Sequence, residues 1–174
     1  WHDFVARTKH PLSLWAYQER GGKLPRPIPK VNSYNINPGI VSSGKDWEIT
    51  SARVEHVQPY LDSLAYRVDY SEGSIVFSGD TKPCQALIDL SANADVLVME
   101  CIRLENEMKN NATSLSETSA LQAGKMAEEA NVKLLVLTHQ AHYLDSVKDD
   151  VLKEVKTNYK GGVIWADELM TVNF

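Results

Sequence analysis

Four ionisable residues stand where apolar runs of this sequence end. His56 closes WEITSARVEH, Asp80 follows SIVFSG, Glu100 closes DVLVME and His139 closes KLLVLTH. If each run is a strand, all four side chains sit at strand ends, where open α/β sheets build their sites. Two imidazoles and a carboxylate are a ligand set for Zn, Mn or Fe. His56, Asp80 and His139 are therefore the candidate metal ligands, and Asp80 is also the candidate catalytic residue. Turn chemistry alone would also account for a Gly-Asp pair. Glu100 either orients a His from behind or bonds a nearby loop. His142, three residues past His139, either lines the pocket or faces solvent.

The elements that must position these residues are legible from residue 47 onward. WEITSARVEH alternates as a strand does, SLAYRVDY is a second strand and SIVFSG a third, joined by the short turn SEG as a hairpin. CQALIDLSANA has helical spacing, with Pro83 at its start. DVLVME and KLLVLTH are continuous apolar runs, as strands buried on both faces are. SETSALQAGKMAEEANV and LDSVKDDVLKEVKTNY read as helices, the first capped by Ser116 or Thr118. GVIWA and LMTVNF read as two closing strands. The order β-β-β-α-β-α-β-α-β-β implies a mixed sheet covered by helices. Residues 1–45 hold most of the prolines and are expected to be an irregular segment packing on the domain formed by residues 46–174. Trp1, Trp15, Trp47 and Trp165 are read as core or covering residues, and Tyr66 and Arg67 as packing and surface residues.

The 174 residues suffice for one domain with a real core, and the net charge of −5 with no basic run argues against a large nucleic-acid footprint. Cys84 and Cys101 have no framework spacing and read as reduced thiols of a cytoplasmic protein. No apolar run approaches the roughly 20 residues of a membrane span. The sequon at Asn111 reads as chance without a signal peptide.

Three spaced segments, a His before an AYR strand, SGDT and LVLTH, resemble the second half of a metallo-β-lactamase-fold hydrolase. Within that superfamily they are most similar to the ribonuclease Z and arylsulfatase-like branch. The similarity covers roughly residues 35–174. It implies an α/β fold, the C-terminal half of an αββα sandwich. It further implies that His56 binds one metal, His139 the other, and Asp80 bridges the two. The cofactors would be two divalent ions, zinc first, with manganese or iron as alternatives. The implied chemistry is attack by a metal-bridging hydroxide on a phosphodiester or other ester.

Two departures from the family pattern qualify this. The HxHxDH stretch that supplies about half the family's ligands is not in the sequence, and His2 and His10 do not form it. The chain is therefore expected to be an incomplete C-terminal part that binds metal weakly, pairing as a homodimer or with its missing N-terminal half. DYSEGS leaves no room for a tRNA-gripping arm, and Ser114, Ser116 and Glu117 occupy the region of the family's general-acid His. A small ester or phosphodiester is favoured over nucleic acid as substrate. The alternative is a non-catalytic binding or scaffold module that keeps the fold.

Overall fold

The computed structural model describes residues 9–27, 32, 34–109 and 111–174. Trp1 and His2 lie outside the described residues. The chain divides into two compact units, residues 1–35 and 36–174.

The first unit contains a helix where prolines had predicted irregular chain. Helix α1 spans Pro11–Glu19, with Pro11 at a first-turn position and the His10 ring accepting from the Leu12 N–H at 3.3 Å. A proline there loses nothing, because the first helical N–H groups have no partner anyway. The Arg26 guanidinium lies over the Tyr17 ring and donates to Ser13 Oγ at 2.6 Å. Trp15 is exposed, so it is no core residue.

The second unit is a seven-stranded sheet in the sequential order β1 to β7. Its strands are β1 (Gly39–Ser43), β2 (Trp47–Val54), β3 (Ser63–Tyr70), β4 (Gly73–Phe77), β5 (Val96–Glu100), β6 (Leu134–Thr138) and β7 (Gly162–Trp165). β1 is a further correction to the irregular 1–45 segment. It pairs with β2 across a register shift between Ile40 and Ser42. Neighbours are antiparallel from β1 to β4 and parallel from β4 to β7. Two antiparallel steps restore direction, so β2, β4, β5, β6 and β7 all run the same way. Their C-terminal ends share one rim.

Alternation along the strands sorts side chains onto two faces. Val54, Ala65, Val76, Leu97, Met99, Leu135, Leu137 and Trp165 point into a core shared with three helices. These are α2 (Gln85–Leu90), α4 (Ala120–Glu129) and α5 (Lys148–Val155); the short α3 (Glu105–Met108) precedes α4. Arg67 is more than a surface residue. Its guanidinium donates to the carbonyls of Leu90 and Ala92 at 3.0 and 2.9 Å and so caps the end of α2. The other face carries Ile49, Tyr66, Val68, Ile75, Phe77, Val98 and Ile164 by register.

Several boundaries move. The cap of α4 is Ser119, in a capping box with Gln122, not Ser116 or Thr118. The expected helix from Leu144 begins as a 3-10 turn, His142–Val147, before α5. LMTVNF forms no strand. Met170 N–H closes a turn onto Asp167 and Leu169 has φ 63, which breaks the extended run before it could pair. Asn111 serves as the cap of a 3-10 turn, accepting from Thr113 N–H at 3.0 Å. Cys84 and Cys101 are both buried and unpaired, and burial pushes the Cys101 thiol up to about 12. No helix among the described residues is long and apolar enough to cross a membrane.

Helices α4 and α5 meet at Gly124, where an added Cβ would overlap the Val155 carbonyl. Alanine would gain about 1 kcal/mol of helix propensity. It would also force backbone apart, and overpacking typically costs about 1–3 kcal/mol. Gly124→Ala is expected to lower stability, read as a lower urea midpoint with an unchanged slope. An unchanged or raised midpoint would show that the helices yield freely.

Candidate metal centre

Asp80 owes its position to the turn that follows β4. Gly79 has φ 60, a conformation that costs glycine little, and the next residue leaves the sheet. Thr81 then anchors the turn from behind. It is fully buried, and its N–H donates to Glu100 Oε1 at 2.5 Å. Its carbonyl accepts from the Thr118 hydroxyl at 2.5 Å, and its own hydroxyl accepts from Glu55 N–H at 3.2 Å. Lys82 N–H donates to the Glu55 carbonyl at 2.7 Å, so the end of β2 lies against the Asp80 turn.

His139 follows directly on β6 and has φ 55, in the left-handed region. A non-glycine residue there is strained by roughly 1–2 kcal/mol, and such strain clusters at functional sites. His139 Nε2 lies 3.8 Å from Asp80 Oδ1, with about half of each side chain exposed. That separation is too long for a hydrogen bond. Metal–ligand bonds of about 2.0–2.2 Å allow one ion to touch both atoms. The donor set therefore fits a divalent cation.

His56 lies two residues beyond β2 and is tied down by a different segment. Its Nδ1 is 2.8 Å from the Ser116 carbonyl and 3.7 Å from Glu117 Oε1, with 15% of the side chain exposed. The structure thus brings Asp80 and His139 together and holds His56 against residues 116–117. Among the described residues, no three His, Cys, Asp or Glu side chains form a group able to hold an ion. His142 faces solvent, 3.8 Å from Asp145.

Between the tips of β4 and β6 lies a cavity of about 260 Å³, bounded by Phe77 and Val98 together with Asp80, Glu100 and His139. Glu100 is 1% exposed. Burial pushes its carboxyl up to about 10; the adjoining Glu117 carboxyl adds to this, and the Thr81 N–H opposes it. Of the two sequence readings of Glu100, bonding to a nearby loop is the one the geometry realises. The bracing contacts of Thr81, Thr118, Ser116 and Glu117 escape sequence reasoning: Thr81 is legible only as part of SGDT, and the other three only as the polar cluster SETS in front of a helix.

Residues 5–140 match the family described as the β-lactamase superfamily domain. The "Probable metallo-hydrolase YhfI" of Bacillus subtilis is 32% identical over 162 residues, covering 92% of this chain and 63% of that protein. A ribonuclease Z of Methanosarcina acetivorans is 38% identical over 98 residues, 56% of this chain and 31% of that one. The crystal structure of the metallo-β-lactamase fold protein YhfI superposes with a TM-score of 0.64 at 30% identity, over 75% of this chain and 51% of the other. The chain thus spans between about a third and two thirds of the length of these relatives. The mixed sheet, the strand-tip site and these matches agree: the chain belongs to the β-lactamase superfamily, with the metallo-β-lactamase fold and a ribonuclease Z-like sequence.

Proposed function

We propose that this chain is part of a metal-dependent hydrolase of phosphodiester or related ester bonds. Asp80, His139 and His56 are its share of the ligands for two divalent ions, zinc first. The observation that carries the reading is the 3.8 Å approach of His139 Nε2 to Asp80 Oδ1 across the tip of β5. The relatives named ribonuclease move the preference from a small ester to a phosphodiester.

When bound, such ions lower the pKa of water and screen charge that develops on the substrate oxygen. The chain's own residues do the rest. Gly79 and Thr81 fix the backbone at Asp80, so its carboxylate starts from one defined point on the rim. Phe77 and Val98 form an apolar wall of the adjoining cavity, which strengthens electrostatic contacts inside it. Burial pushes the Glu100 carboxyl up and so favours its neutral form in the metal-free chain. Further ligands would come from outside these 174 residues, because the HxHxDH set is not among them.

A binding or scaffold module is the second reading. It is favoured by the absence, among the described residues, of any three grouped ligands. Calorimetric titration with Zn²⁺ separates the two. The hydrolase reading predicts one weak site on this chain. Asp80→Asn and His139→Ala should each weaken it by more than the roughly 10–100-fold loss typical of an outer-shell change. Binding that ignores both substitutions would favour the scaffold.

Glu100 supplies a pH test. Its folded pKa of about 10 lies above the ordinary glutamate value of about 4.3, so the folded chain keeps a proton that the unfolded chain releases. Stability from this group is therefore lost as pH rises between those values. In metal-free thermal melts, Glu100→Gln is expected to gain on the parent chain steadily from pH 5 to pH 9. A constant gap would mean that Glu100 is ionised in the fold.

A further inference from the structure

Resting on the reading of His56 as a ligand, we propose that Glu117 is a positioning residue that ties His56 to the Asp80 turn. The Ser116 carbonyl oxygen carries no proton, so its 2.8 Å contact with His56 Nδ1 requires the hydrogen to be on Nδ1. In the neutral ring that leaves Nε2 with its lone pair, the state a metal ligand needs. Glu117 Oε1 lies 3.7 Å from the same Nδ1 and reinforces that choice, because a carboxylate favours a proton facing it.

The other end of Glu117 points inward. Its Oε2 and that of Glu100 are both buried without a hydrogen-bond partner, and the Glu117 carboxyl lies near enough to that of Glu100 to help push its pKa up. Glu100 Oε1 accepts from Thr81 N–H, one residue past Asp80. A row of neighbouring groups therefore leads from His56 past Glu117 and Glu100 to Thr81. It links two ligands that the chain separates by 24 positions. Glu117 stands in the region where the resembled family carries its general-acid His, and here that region is used to hold a ligand.

The test is nitrogen NMR of the His56 ring on the metal-free 174-residue chain at pH 8.5, well above the ordinary imidazole value of about 6.5. We expect a single tautomer with the proton on Nδ1, and Zn²⁺ shifting Nε2. Glu117→Leu should weaken the tautomer preference to what the Ser116 carbonyl alone sets, and raise the Zn²⁺ needed for the shift by roughly 10–100-fold. Glu117→Gln, which keeps the shape and the hydrogen-bonding capacity, should restore most of both. A proton on Nε2 in the parent chain, or a Leu variant that folds and behaves as the parent does, would overturn the proposal. Should the Leu variant fail to fold, the parent tautomer and the Gln variant decide. A correct tautomer whose Nε2 ignores Zn²⁺ would leave the positioning intact and sink the ligand reading instead.

Discussion

The Asp80 turn is fastened to the tip of β5 by one buried carboxyl group. Glu100 ends the strand beside β4 and takes the Thr81 N–H at 2.5 Å. Without that acceptor the turn after Gly79 would leave a buried N–H unpaired, at a cost of about 1–3 kcal/mol. The same contact fixes where the Asp80 side chain emerges, since only one residue separates Gly79 from Thr81. Ligand geometry at this rim is thus set by a group that need not itself touch an ion.

An acid in that place is costly, because burial penalises its charge. The structure meets the penalty by raising the pKa rather than by supplying a cation: no lysine or arginine is among the groups that shift Glu100. A neutral carboxyl both accepts and donates. Glu100 can accept from Thr81 with one oxygen and share its proton with Glu117 through the other. The pair of orphaned Oε2 atoms then has a common explanation. Glutamine at either position would satisfy the same contacts without a proton to lose.

Much of this was legible in the residues, and the illegible part has a physical reason. The apolar runs gave β2 to β7, the hairpin and the strand-tip location of the four ionisable residues, because periodicity reports burial directly. LMTVNF has the composition of a strand, but pairing needs a free edge and an unbroken extended run, and the turn at Asp167–Met170 removes the second. Ser43 and Gly39 look like loop residues, yet β1 forms because β2 offers an edge. His56 shows the same limit at the site. Its type and place could be read, but its partner is a backbone carbonyl 60 residues away, and a carbonyl has no sequence signature.

The rim itself follows from chain direction. Had β3 been followed by a crossover in place of a tight hairpin, β4 would run with β3 and against β2. His56 and Asp80 would then lie at opposite ends of the sheet. The two-residue turn between Tyr70 and Gly73 reverses the chain. The helical crossovers after β4 and β5 keep direction. Two reversals, β2 to β3 and β3 to β4, and two crossovers therefore bring the ends of β2, β4, β5 and β6 to a single edge. The chemistry then needs only four residues at those ends or within three positions of them, and one segment, 116–118, that braces them.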